Sequence, residues 1–155
     1  MLYSDDGLMV TRVYMEPRLS WIPNLGLMVA STSGGIEWCH WNLGLVRFGM
    51  SSAATMSPDG MYLEAPITFS GRIHSSEAAS VSWDLVSGIG SSLGPGDNDV
   101  YCLGQAGIGF AFPALQNVAL LFEPKIGVQW YITDYSARRW VYMTSLVIAI
   151  IRTDN

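Results

Sequence analysis

The sequence predicts an all-β fold: an antiparallel β-sandwich of jelly-roll type, with a small β-barrel as the alternative. Three observations carry this expectation. Several runs alternate apolar and polar residues with a period of two, while helical periodicity is nearly absent. Turn sequences rich in Gly, Pro and Asp separate these runs. And only 21 of 155 residues are charged, 8 basic and 13 acidic, where a soluble domain of this length carries roughly 39.

Taken in chain order, Leu8 to Met15, Leu25 to Ser31 and Ile36 to Met50 are strand candidates of modest contrast. Ser33-Gly34-Gly35 marks a loop between the second and third. Ser57-Pro58-Asp59-Gly60 is the strongest turn sequence, since Pro presets φ and Gly accepts positive φ. Met61 to Glu64 follows as a short strand. The clearest alternation is Ile67 to His74, with Ile67, Phe69 and Ile73 on one face and Thr68, Ser70, Arg72 and His74 on the other. In Ser80 to Leu85, Val81, Trp83 and Leu85 form the face expected to be buried.

Gly94-Pro95-Gly96-Asp97-Asn98-Asp99 is a further loop. Helix is the alternative over Ser75 to Ala79 and over Ala114 to Leu121, where Pro113 suits a first helical position. Ala119 to Glu123 is a weaker strand, and Ile126 to Thr133 a clear one, with Ile126, Val128, Trp130 and Ile132 sharing a face. From Arg139 to Arg152 both alternating faces are apolar, so a strand there needs cover on both sides. Trp140 to Ile151 is expected to be a central strand whose ends approach an intersubunit contact, with Arg138, Arg139 and Arg152 marking the return to polar surroundings beside Asp134 or Asp154. No linker or repeat divides the chain, so residues 1–155 form one β domain.

The charge shortage implies that much of the surface does not meet water. Cores of protein contacts are depleted in charge and enriched in aromatics and Met, and this chain has six Trp and eight Met. A closed homo-oligomer, taken as a homotrimer, is therefore expected. Its candidate contact or structural residues are Trp21, Trp38, Trp41, Arg138, Arg139, Trp140 and Tyr142. The net charge of −5 and the scattered basic residues argue against nucleic acid. The opening residues lack the basic and apolar regions of a secretory signal, which predicts synthesis in a cytoplasm.

No membrane partner is expected either. The uncharged stretch Val100 to Phe122 is interrupted by Gly, Pro, Gln and Asn, and the apolar run Trp140 to Ile151 has only twelve residues. As a helix that run reaches about 18 Å, short of a roughly 30 Å hydrocarbon core.

Candidate chemistry is thin. Cys39 and His40 are adjacent and would point to opposite faces of a strand, so His40 is poorly placed to activate the thiol. Cys39 and Cys102 read as reduced, buried thiols. Cys39, Cys102, His40 and His74 lack the paired spacing of a zinc site, and Asp97-Asn98-Asp99 lacks the rest of a calcium loop. The glycines at 104, 107 and 109 match no nucleotide motif and read as close packing or a bulge. Trp38 and Trp41, on opposite strand faces, supply one core residue and one contact residue.

The expectation is then a non-enzymatic structural protein without cofactor or metal that assembles with itself. The setting proposed for it is a virion, as a phage capsid decoration (cement) protein or tail subunit, with a major coat protein or other virion subunit as partner. A carbohydrate- or small-ligand-binding domain and a small hydrolase are the alternatives.

Overall fold

The computed structural model describes residues 11–43, 45–93, 99–133 and 140–152, apart from the side chains at 39, 40, 42 and 43. Its strands are β1 (Arg12–Ile22), β2 (Leu27–Leu43), β3 (Val46–Ser57), β4 (Gly60–Ser75), β5 (Ser80–Leu93), β6 (Val100–Leu115), β7 (Val118–Tyr131) and β8 (Trp140–Arg152). Each pairs antiparallel with its neighbour in sequence, and β8 pairs back onto β1, which closes a barrel. The predicted small barrel is therefore the architecture, and the jelly-roll sandwich is not. A jelly roll needs Greek-key connections, whereas this chain meanders up and down in strict sequence order. Closure removes the unpaired edges that a sandwich must protect.

Following the register from Val141 to Gln129, Leu103, Gly88, Pro66, Ser51, Glu37 and Arg12 returns to β8 at Ile151, ten residues further along. For eight strands, that stagger corresponds to a tilt of about 40° from the barrel axis. One rim, here the lower, carries the start of β1 and the end of β8, the end of β2 and the start of β3, and the connections 76–79 and 116–117. The upper rim carries 23–26, 58–59, the end of β5, the start of β6, the end of β7 and the start of β8. The Ser57-Pro58-Asp59-Gly60 turn forms as expected between β3 and β4, with Gly60 at φ 148°.

The period of two is present throughout, but its sense is inverted. Val81, Trp83 and Leu85, expected inside, lie on the outer wall, and Asp84 between them is 2% exposed. Ile67, Phe69 and Ile73 likewise face out or lie half-buried, while Thr68 is buried. On β7, Ile126 is 68% exposed and Lys125, Gln129 and Tyr131 are interior. Alternation fixes which residues share a face, not which face meets solvent. The premise that apolar residues go inside is what failed.

Other expectations are corrected by the ladders. Ser33-Gly34-Gly35 is not a loop but lies within β2, paired to β1 and β3. The helix alternatives also fail: 76–79 is a turn stabilised by Ser76 and Ala79, and Ala114 to Leu121 is two strand ends around the 116–117 turn. Among the described residues the only helix is one 3₁₀ turn, Pro23–Leu25. The C-terminal segment is a single strand paired on both edges, and its inner face is buried as expected. Its outer face is uncovered: Trp140, Tyr142 and Ile150 are about half exposed.

Two apolar groups stand inside the barrel at different heights. Near the upper rim Ile22, Tyr62, Tyr101, Leu103, Tyr131, Val141 and Met143 pack together. Near the lower rim Ala111, Ala119, Leu121, Val147 and Ala149 do so, with Tyr14 and Ile151 against them. Charged side chains fill the space between.

A candidate functional site: the ion-paired lumen and its apolar wall

Among the described residues eight charged ones are buried in the barrel: Arg12, Glu16, Arg18, Glu37, Glu64, Asp84, Glu123 and Lys125. Strand alternation puts them there in pairs. Glu16 and Arg18, and again Glu123 and Lys125, stand two residues apart on one strand and so project into the same space. These residues were not singled out from the sequence, although the opposite charges at i and i+2 were a readable sign of a polar strand face.

The larger network centres on Arg18. Its guanidinium holds Glu64 through two parallel bonds, Nη1 to Oε1 at 2.6 Å and Nη2 to Oε2 at 2.8 Å, and donates from Nη2 to Glu16 Oε2 at 2.7 Å. This bidentate fork is the strongest geometry available to an Arg–carboxylate pair. Tyr101 donates its hydroxyl to Glu64 Oε1 at 2.5 Å. Glu16 Oε1 accepts from Gln105 Nε2 at 2.7 Å and Ser145 Oγ at 2.6 Å. Residues of β1, β4, β6 and β8 thus meet at one point inside the barrel.

The second network lies lower. Lys125 Nζ sits 2.6 Å from Glu123 Oε1 and 2.9 Å from Asp84 Oδ2, and Arg12 Nη2 is 3.2 Å from Glu123 Oε1. Gly107 makes room for it: a Cβ there would fall 2.6 Å from Asp84 Oδ1 and 2.7 Å from Lys125 Cγ. That accounts for one glycine of the 104–109 series as close packing. Below, Glu37 accepts from Thr11 Oγ1 at 2.8 Å and pairs with Arg47. Among the described residues the lumen includes small spaces of ≈ 30 Å³ beneath the upper rim and ≈ 20 Å³ between the networks. Each suits about one water molecule.

The outer wall is the opposite. Of the charged residues on the described strands, only Arg152 is exposed on this wall, toward the lower rim; Arg72, exposed at the same rim, is paired with Ser82 on the inward face. Aromatic side chains gather on this wall near each rim. Near the upper one, Trp21 packs with Tyr142 at 6.1 Å and Trp130 stacks on Trp140 at 5.9 Å. Near the lower one, Trp41, Phe48 and Phe69 form a row at 5.1 and 5.2 Å, and Phe112 meets Phe122 at 6.3 Å.

Trp38 and Trp41 do not occupy opposite faces. A register shift between Glu37 and Cys39 inserts one residue, so Trp38 bonds the outward Ser52 while Trp41 faces the outward Phe48. Trp21, Trp38, Trp41, Trp140 and Tyr142 therefore share the outer wall. Cys102 is half-buried on that wall and not a core thiol. Arg138, Arg139, Asp134 and Asp154 lie outside the described residues, as do the side chains of Cys39 and His40. His74 is exposed toward the lower rim. Asp99 accepts from Thr133 Oγ1 at 3.2 Å.

No protein-family model matches the sequence, and no curated protein matches it either. Among solved structures, the fold resembles Neisserial surface protein A, with a TM-score of 0.63 and 11% identity over 93% of this chain and 96% of that one. It also resembles the outer membrane enzyme PagL, with a TM-score of 0.59 and 12% identity over 89% of this chain and 97% of that one. The likeness is one of fold. Together with the inverted polarity it overturns the virion reading and the cytoplasmic or virion localisation, because a particle subunit surrounded by water would not bury its charges and bare its isoleucines.

The charge shortage has a counterpart in the structure: the outer wall carries few charged side chains, while those of the lumen are buried.

Proposed function

We propose that this chain is an integral β-barrel of outer-membrane type, whose apolar wall spans a bilayer and whose lumen is closed by its ion pairs. The observation that carries the reading is the sorting of charge: among the described residues, eight charged ones buried in the lumen against a wall of Val, Leu, Ile, Met and aromatic side chains. A strand crosses a bilayer only when every backbone group is paired within a closed barrel, and this barrel is closed. Aromatic side chains at two levels match the headgroup zones on either side of a hydrocarbon core. Strands of 11 to 17 residues exceed the roughly 9–11 needed to cross.

The role we infer is structural and non-enzymatic, a sealed barrel and not a channel. In support, the carboxylates of the lumen are engaged by Arg, Lys, Tyr, Gln and Ser, and the remaining spaces hold about one water each.

The test is refolding from urea into phosphatidylcholine vesicles. The inserted chain should resist extraction by carbonate and migrate differently on unheated and heated gels. Planar bilayers containing it should show no discrete conductance. A chain that is monodisperse in buffer without detergent at micromolar concentration would overturn the membrane reading, and stepwise currents would overturn the sealed lumen.

A further inference from the structure

We propose that the well beneath the upper rim, inside the barrel, binds a primary ammonium group as the head of a linear amine. The inference stands on the closed fold and not on the membrane reading. Asp59, exposed in the turn between β3 and β4, marks the mouth of the well. Ser31 and Ser57 line it half-buried, and Ser20 and Gln129 line it at 8% exposure each. Another wall is aromatic: the rings of Tyr62 and Tyr131 pack on Tyr101 at 5.8 and 5.1 Å. The Arg18 network adjoins the well, since Thr55, which lines it, accepts from Arg18 Nη1 at 3.3 Å.

Three observations name the ligand. The first is spare hydrogen-bonding capacity. Ser20, Ser31, Ser57 and Gln129 make no side-chain hydrogen bond among the described residues, and two of them are more than nine-tenths buried, where an unpaired polar group is costly. An ammonium brings three donors to such oxygens. The second is charge. Arg18 is shared between Glu16 and Glu64, so its own charge is more than matched, and Asp59 and Asp99 add carboxylates at the rim. A cation is favoured there over a neutral group, and tyrosine faces attract it further. The third is size. A volume of ≈ 30 Å³ takes about one water-sized centre, which an ammonium nitrogen matches and a quaternary ammonium exceeds. The alkyl stem then leaves past Asp59 toward solvent.

The experiment uses the full chain folded in a non-ionic detergent, with the Gln129 side-chain amide followed by NMR. n-Butylammonium chloride should shift that signal saturably and bind about tenfold more tightly than 1-butanol, its neutral counterpart, as a charge-assisted bond predicts. Tetramethylammonium should leave the signal in place. Asp59→Asn should weaken n-butylammonium about fivefold, because a carboxylate at an exposed mouth is partly screened. Ser57→Leu should fill the well and abolish binding, and Ser31→Leu serves the same purpose if the first variant does not fold. Equal affinity for 1-butanol, a comparable response to tetramethylammonium, displacement by equimolar KCl, or an Asp59→Asn barrel that binds as tightly as the parent overturns the site. None of these outcomes touches the membrane reading, which vesicle insertion decides separately.

Discussion

Arg18→Met should be among the most damaging single substitutions in the lumen, and the structure allows its cost to be worked out. The Arg18 side chain is 2% exposed, and the side chains of its two partners, Glu16 and Glu64, are 4% and 1% exposed. Removing one partner of a buried ion pair costs about 3–5 kcal/mol, because the remaining charge is left in a low-dielectric interior. Two carboxylates lose their cation here, but neither is left bare: Glu16 keeps Gln105 and Ser145, and Glu64 keeps Tyr101. The expected loss is therefore about 4 kcal/mol, not twice that. Methionine preserves most of the stem volume, so little of the loss comes from a cavity. The combination of Arg18→Met with Glu16→Gln and Glu64→Gln removes the uncompensated charge and should recover more than half of it. Urea unfolding of the vesicle-inserted barrel, followed by tryptophan fluorescence, measures both. A single variant within about 1 kcal/mol of the parent would refute the reasoning, as would a triple variant no more stable than the single one.

On the outer wall, Ile126→Arg should cost about 2–4 kcal/mol in vesicles, the price of a basic side chain near the bilayer midplane; at an exposed site on a soluble protein it would stay within roughly 0.5 kcal/mol. Gly107→Ala places a methyl group against Asp84 and Lys125 and should destabilise by about 1–3 kcal/mol, read by the same urea titration. Deleting residues 140–155 removes the strand that pairs with both β1 and β7, and the truncated chain should show no heat-dependent gel shift; a shifted band would show that closure does not need β8.

Much of the fold was legible from period alone. Ile126 to Thr133 and Ser80 to Leu85 were read as strands with the right residues sharing each face, and the Pro58-Asp59 turn was placed where the chain reverses. What alternation cannot supply is the solvent. Val81, Trp83 and Leu85 would pack inward in water and outward in lipid, and the sequence of that strand is the same in either case. Two signs on other strands could have decided it. Glu16 and Arg18, like Glu123 and Lys125, put opposite charges on one strand face, which is costly for a sandwich core and natural for a polar lumen. The apolar test also considered helices alone, and a run such as Trp140 to Ile151, too short to span as a helix, is ample as a tilted strand. The bulge at Trp38 left no local mark, because its register shift depends on the partner strand β3.

The lumen's charges also bear on how eight strands find a single register. Arg18 on β1 reaches Glu64 on β4, Arg12 on β1 reaches Glu123 on β7, and Asp84 on β5 meets Lys125 on β7. These strand pairs are two or three places apart around the barrel and none is adjacent, so the contacts tie strands together through the lumen and not along the ladders. A one-residue slip of β1 against both neighbours would turn Glu16 and Arg18 to the outer wall, toward lipid on the proposed reading, and bring Met15 and Leu19 inside. Apolar residues alone would penalise that slip weakly, since lipid and a dry lumen differ little for a leucine. Moving an ion pair from its partners into hydrocarbon is far more costly. In a barrel of this polarity the buried charges thus do for register what a hydrophobic core does in water. Their net contribution to stability can be small while their contribution to uniqueness is large.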